Sequence, residues 1–305
     1  MSTRADAMPD RTHAEAMLRR ATLASVAVAA VLIVIKTVAW ALTGSVALLS
    51  SLIDSVLDSF ASIINLLAVR HALTPADREH RFGHGKAEPL AGLGQAAFIA
   101  GSSLLLLFEA IQRLVNPVPV EHGGVGIVVM VISLVMTLAL VSYQRRVVHR
   151  TGSLAVGADA LHYASDIALN ASVIVAIVLS AHLGWTLADP LFGIGIAACI
   201  VHAAWRIARD SLDQLMDREL PDEDRRRITE ICLRHPGVRD IHELRTRASG
   251  RDIFIQLHLV LQADMPLATA HRISEGVQRD LEAAYPGADV IIHEDPMDDS
   301  RPEPV

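Results

Sequence analysis

The stretch LIDSVLDSF, residues 52–60, places two carboxylates inside a segment that is otherwise mostly apolar. Asp54 and Asp58 are four residues apart, so on a helix both side chains project from one face, one turn from each other. A second apolar segment contains ALHYASDIAL, in which His162 and Asp166 repeat that spacing. Two predicted helices therefore each present a pair of side chains of the kind that bind metal ions.

Carboxylates in such a position need compensation. An ionised carboxylate in the middle of a bilayer costs at least a few kcal/mol, and it persists when it faces a bundle interior, binds a cation or serves a transport route. Three aspartates and one histidine can form a tetrahedral shell that suits Zn²⁺ and also accepts Cd²⁺, Fe²⁺, Co²⁺ or Mn²⁺. The alternative is that single members are protonated interior acids with a packing role. The matched spacing of all four favours a metal site.

Two more ionisable residues lie in apolar segments and are not assigned to this site. Asp159 precedes His162 by three residues near the end of its predicted helix, where hydration alone could keep it charged. Lys36 lies in the first apolar segment, and its long side chain could reach the interface or pair with an acid.

The composition indicates a membrane protein. Of the 305 residues, 51% are hydrophobic and only 4% are aromatic, which is too apolar for an ordinary soluble protein of this size. The formal net charge of −7 argues against nucleic acid as a partner. Two cysteines, Cys199 and Cys232, provide neither a disulfide framework nor a thiolate metal motif.

Apolar windows of about 20 residues, the length needed to span a bilayer as a helix, predict a six-helix transmembrane domain over residues 21–212. They begin near Ala21, Ser45, Pro89, Gly123, Gly152 and Leu187. Residues 1–20 are predicted to be a cytoplasmic N-terminal segment, and the first window is read as an uncleaved span and not a signal peptide.

Basic residues alternate between the connections and predict the orientation. Four surround the second connection and three the fourth: Arg70, Arg78, Arg81 and Lys86, then Arg145, Arg146 and Arg150. Lys and Arg are nearly absent close to the other connections, so we expect both termini to be cytoplasmic.

From about Asp217 the pattern becomes that of a small α+β domain. A helix, two alternating strands, a second helix and a short strand give the order αββαβ, a two-layer, metallochaperone or ferredoxin-like fold. We predict a cytoplasmic metal-binding dimerisation domain over residues 213–296. Residues 297–305, with two prolines and several charges, are predicted to be a disordered tail.

These residues resemble the cation diffusion facilitator family of divalent-metal/proton antiporters. The similarity covers residues 15–296, and the stretches PADREHRFGHGKAE, LRTRASG, IFIQLHL and DVIIHEDP resemble its bacterial zinc and iron efflux branch. The resemblance implies a homodimer in the bacterial inner membrane that exports Zn²⁺, with Fe²⁺ or Cd²⁺ as other possible cargo, in exchange for protons. It also implies a transport site made of Asp54, Asp58, His162 and Asp166.

Independently of the family, the chemistry fits such a cycle. Metal ligands must be deprotonated, so protons and cation compete for one site, and histidine makes this competition effective near neutral pH. Alternating exposure of the site to the two sides of the membrane then exchanges protons for metal. Rocking of the helix bundle is a common mechanism of such alternation.

Further candidate ligands lie outside the spans. Asp77, His80 and His84 fall in one short connection, where they could bind a metal or form a hydrated turn; the resemblance favours a second, weaker metal site there. In the soluble domain it implies a binuclear zinc site at the cytoplasmic dimer interface, formed by His242, His258, His271, His293 and Asp295. His235 is read as a helix-end residue. The resemblance also assigns Lys86 and Asp217 to a charge pair that holds the membrane dimer together.

Two other classes of protein share some of these features. A membrane-anchored metal sensor would also carry the cytoplasmic histidines, but it would have no use for four ligands inside the membrane. An intramembrane metalloprotease needs a motif such as His-Glu-x-x-His, which the sequence lacks. We therefore expect a transporter and not an enzyme.

Overall fold

The computed structural model describes residues 11–44, 46–115, 124–183 and 188–297. It divides into two compact units, a helical unit that ends at Leu212 and a second unit that begins at Asp213. The predicted domain bounds, 21–212 and 213–296, stay predictions.

The helical unit contains one helix for each predicted span. The six helices are α1 (Arg11–Thr43), α2 (Val46–Ala72), α3 (Ala87–Val115), α4 (Gly124–Thr151), α5 (Leu154–Leu183) and α6 (Ala188–Leu215). By length and composition, α1 to α4 and α6 qualify as membrane spans among the described residues. The remaining helix of this unit, α5, has 30 residues, a length of about 45 Å as an α-helix.

The first helix begins earlier than the sequence suggested. It starts at Arg11 and not near Ala21, so part of the polar N-terminal segment is helical. The cause is a small apolar face: Leu18 is fully buried and packs in one cluster with Val69, Val147 and Val156. Burial of that face stabilises the helix beyond the purely apolar stretch.

The helical unit is apolar outside and partly polar inside. Large hydrophobic side chains such as Val34, Phe60, Leu105 and Phe108 are exposed, as expected of surfaces that contact lipid. Its buried side chains include the polar residues Ser25, Ser62, Asn65, Gln95, Gln144 and Asp159. Among apolar helices, polar groups gain most from bonding one another.

The second unit follows the predicted order of elements. It contains α7 (Asp222–Leu233), β1 (Asp240–Ser249), β2 (Asp252–Leu261), α8 (Leu267–Ala284) and β3 (Asp289–Pro296). The strands form one sheet in the order β1-β2-β3, with β1 antiparallel to β2 and β2 parallel to β3. Helix residues Ile228, Val277 and Leu281 join the strand residues Leu257 and Leu259 in its buried core.

The hairpin between β1 and β2 fixes the register of the sheet. Ser249 pairs with Asp252, which leaves a two-residue turn of Gly250 and Arg251. Gly250 has a φ of 61°, a conformation that glycine adopts without strain and that such tight hairpins require. This register also places histidines of neighbouring strands side by side.

Candidate metal sites

The paired ligands of α2 and α5 meet inside the helical unit. The Nε2 atom of His162 lies 2.9 Å from Oδ1 of Asp58. One ligand atom each of Asp58, His162 and Asp166 lies within 4.8 Å of the others, close enough for one metal ion. His162 is buried and both carboxylates are partly buried, so this cluster lies away from bulk solvent.

The fourth predicted ligand, Asp54, is not part of this close group. It lies one turn before Asp58 on α2, and its side chain is exposed. The helical spacing is as predicted, but the structure brings only three of the four ligand atoms together.

Lys36 of α1 also points toward α2. Its Nζ donates hydrogen bonds to Oγ of Ser55 at 2.6 Å and to the carbonyl oxygen of Ser51 at 3.1 Å. Its positive charge interacts with the carboxylates of Asp54, Asp58 and Asp166, so it offsets part of their repulsion.

The expectation that hydration surrounds Asp159 is wrong. Its side chain is fully buried. It accepts hydrogen bonds from Ser25 at 2.6 Å, Gln144 at 2.6 Å and Gln95 at 3.2 Å. The sequence offered a clue in the polar residues of neighbouring segments, but no spacing rule links residues on four different helices.

The connection between α2 and α3 brings its three predicted ligands together. Nδ1 of His80 and Nε2 of His84 each lie 3.4 Å from a carboxylate oxygen of Asp77, and one atom of each residue falls within 4.8 Å of the others. The backbone N–H of His80 donates to Asp77 and, with the N–H of Glu79, lowers the pKa of this exposed carboxyl. The carboxylate is therefore ionised and available as a ligand. His71 lies beside this group, with its ring 4.6 Å from that of His84.

Strand register builds the third cluster. His242 pairs directly with His258, and His258 pairs with His293, so the three side chains form a row across the sheet. Asp295 lies at one side of the row: its Oδ2 is 2.8 Å from Nδ1 of His258 and 3.1 Å from Nε2 of His242. His293 reaches Oδ1 of the same carboxylate at 3.3 Å.

The carboxylate of Asp295 is held in its ionised form. The hydrogen bond from His258 and the charges of His258, His293 and His242 lower its pKa. His242, His258 and Asp295 offer ligand atoms within 4.8 Å of one another. A carboxylate with histidines on both oxygens has the arrangement needed to bridge two metal ions.

The remaining predicted residues lie elsewhere in the described protomer. His271, on α8, is 66% exposed and lies 3.5 Å from Glu275, not in the row of histidines. His235 follows α7 and bonds Asp280 at 3.0 Å, which agrees with its reading as a helix-end residue.

The two members of the predicted charge pair belong to different units. Lys86 lies directly before α3 in the helical unit. Asp217 adopts a φ of 55° and pairs with Arg247 at 3.2 Å within the second unit. The pairing of Lys86 with Asp217 across a dimer stays a prediction.

Comparison with known proteins agrees with this architecture. Residues 22–216 match the family described as the cation efflux transmembrane domain, and residues 220–297 match the cytoplasmic domain of cation efflux proteins. The cation-efflux pump FieF of Klebsiella pneumoniae subsp. pneumoniae is 50% identical over 92% of this chain and 93% of its own. FieF of Escherichia coli O1:K1 is 48% identical with the same coverage. A solved structure of CzrB in its Zn form is 32% identical, covers 28% of this chain and 99% of its own, and has a TM-score of 0.26.

A bundle of apolar helices with a partly buried ligand cluster, joined to a small α+β domain and similar to cation-efflux pumps over most of its length, defines a multi-pass membrane transporter of divalent metal cations. The chain belongs to the cation efflux family, also called the cation diffusion facilitators. Family membership confirms that it is a transporter and not an enzyme.

Proposed function

We propose that this protein exports Zn²⁺ from the bacterial cytoplasm in exchange for protons, with Asp54, Asp58, His162 and Asp166 as its transport site. The observation that carries the proposal is the meeting of Asp58, His162 and Asp166 within bonding range of one ion. A mixed nitrogen and oxygen ligand set suits Zn²⁺, while Fe²⁺ and Cd²⁺ are accepted with different strain. Asp54 joins as the fourth ligand by turning its side chain along α2.

Proton exchange follows from the same ligands. A hydrogen bond joins His162 and Asp58, and a metal ion must displace it to bind both side chains. Protons compete for these atoms, so proton binding on one side of the membrane releases the metal there. Alternate exposure of the site to the two sides couples an inward flow of protons to an outward flow of metal.

The assembly that we propose is a homodimer in the inner membrane with cytoplasmic termini. Its support is the basic residues of the second and fourth connections and the histidine row of the cytoplasmic unit. That row lies partly exposed, with His293 64% exposed, which leaves room for a second protomer.

Metal uptake into sealed vesicles tests the transport site. Purified protein is reconstituted into proteoliposomes that contain a Zn²⁺ indicator, a pH gradient is imposed, and the flux is measured for the native protein and for Asp58→Asn. The amide keeps the shape of the side chain but removes its charge and basicity, so we expect flux at the level of protein-free vesicles with the folded protein intact.

Asp264→Asn is the matched control, because Asp264 is an exposed carboxylate of the second unit that belongs to none of the three ligand clusters. Native flux in Asp58→Asn would show that the transport site lies elsewhere. If the Zn²⁺ flux of the native protein is the same with and without the pH gradient, proton exchange is excluded. Zn²⁺ binding without Zn²⁺ accumulation in the vesicles would favour a metal sensor.

A further inference from the structure

Asp159 is a meeting point for five helices. From α5 its carboxylate accepts hydrogen bonds from Ser25 on α1, Gln95 on α3 and Gln144 on α4. Ser62 on α2 adds a longer contact of 3.4 Å. All of these partners are neutral and at most 7% exposed, so this network holds the helices together without being part of the metal ligand cluster.

Three hydroxyl groups form a directed chain that ends on Asp159. The single hydroxyl proton of Ser25 goes to Oδ2 of Asp159 at 2.6 Å, so Ser62 is the donor in its 3.0 Å bond to Ser25. Tyr163 is then the donor in its 2.9 Å bond to Ser62. The chain starts on α5, passes through α2 and α1, and returns to α5.

This chain lies one helical turn from the metal ligands. Ser62 follows Asp58 by four residues on α2, and Tyr163 directly follows His162 on α5. Among the described residues of this region, two polar links therefore connect α2 and α5: Asp58 with His162, and Ser62 with Tyr163 directly and with Asp159 through Ser25. A bound metal ion replaces the first link, because both side chains become ligands, whereas it leaves the second intact.

We propose that Ser62, Tyr163 and Asp159 are positioning residues that set the separation of α2 and α5, and that this separation determines which divalent ions the transport site prefers. The inference rests on the proposed transport site. Zn²⁺ requires ligand bonds of about 2.0 Å, and Cd²⁺ is larger and forms longer bonds. A link that holds the two ligand-bearing helices close favours the smaller ion, and a loosened link relaxes that preference.

Ser62→Ala and Tyr163→Phe test the inference by removing one hydroxyl each. For both variants and the native protein, Zn²⁺ and Cd²⁺ fluxes are measured in proteoliposomes over a range of metal concentrations. We expect the ratio of Zn²⁺ to Cd²⁺ transport efficiency to fall about fivefold, the factor equivalent to one neutral hydrogen bond. Two variants are used because either alone could fail to fold; Tyr163→Phe keeps the ring that lies 5.4 Å from that of His162.

Ser103→Ala is the matched control. Ser103 is also buried, but among the described residues its hydroxyl bonds the Ile99 carbonyl of its own helix, so its loss should leave the ratio unchanged. An unchanged ratio in both test variants, or an equal loss of transport for both ions, overturns the inference while leaving the transport site standing. If Asp58→Asn transports normally, the proposed site itself fails, and the two results are distinct.

Discussion

Asp58 and Asp77 are aspartates beside histidines in two different surroundings. Asp58 lies among apolar helices, where the groups that can supply positive charge are the imidazole of His162, the ammonium of Lys36 and a bound cation. Asp77 lies in an exposed connection, where water and backbone N–H groups already stabilise its charge. Metal binding therefore compensates a larger desolvation penalty at the membrane cluster than at the loop cluster.

Asp77→Ala should empty the loop cluster and leave the transport site working. The pKa of Asp77 is lowered, so its carboxylate is ionised at any pH above its ordinary value of about 3.9 and is lost as a ligand only by mutation. We expect one class of bound metal to disappear in equilibrium dialysis, and flux at saturating metal to stay within about twofold of native, because a weak exposed site adds little free energy.

Glu79→Ala provides the control for this variant, since Glu79 is an acid of the same connection that the metal cluster does not include. If Asp77→Ala abolishes flux at saturating metal, the loop cluster is part of the obligatory route and not an accessory site.

Among the elements, the sequence predicts helices and strands well and contacts between helices poorly. The six apolar windows each correspond to a helix, because span length is set by the thickness of the bilayer. The four-residue spacing within each ligand pair also placed Asp58 and His162 on a defined face of their helices. Burial of Asp159 depends instead on how five helices pack, which no local period encodes.

The histidine row shows an intermediate case. His242, His258 and His293 were expected on three strands, but their alignment depends on strand register. Register is set by the turn at Gly250 and by an irregularity between His242 and Arg245, where Glu243 has a φ of 48°. The sequence alone did not predict that irregularity, nor that His271 lies apart from the row.

A buried thiol on α7 predicts that the second unit loses stability at alkaline pH. Cys232 is fully buried in the core of the second unit, and burial raises the pKa of its thiol to about 12. An unfolded chain would lose this proton near pH 8.5. Between these values the unfolded state binds fewer protons than the folded state, so stability is complete below about pH 8.5 and declines as the pH rises toward 12.

The fragment from Asp217 onward suits this measurement, because its sequence contains no lysine and only one tyrosine, Tyr285. Urea unfolding between about pH 8 and 10 should show the free energy of unfolding falling by up to about 1.4 kcal/mol per pH unit. Cys232→Ala should be less stable at neutral pH but lose most of this slope. An equal slope in both proteins would show that another group is responsible.

In the whole molecule, the two units differ in the ligands they carry and in how they are stabilised. The helical unit carries the ligands of the proposed transport site within a bundle that is apolar outside. The second unit has its own core but only about 80 residues, a size at which burial of apolar surface leaves little stability to spare. A bridging metal or a second protomer would supply what this core lacks.

The last prediction is that metal joins the cytoplasmic units of two protomers. His258 and Asp295 lie 2.8 Å apart and are partly exposed, so both can bind an ion that a partner also contacts. Without the charge of Asp295, a divalent ion would leave excess positive charge among the histidines, and the site should empty. We expect Asp295→Ala and His258→Ala to weaken dimerisation of the fragment from Asp217 onward at least about tenfold in analytical ultracentrifugation.

A chelator should have the same effect on the native fragment, whereas Asp264→Ala should have none. In the full-length protein the same variants should reduce transport without abolishing it, because the transport ligands lie in the other unit. Equal dimerisation with metal, with chelator and in both variants would mean that these residues do not join the protomers.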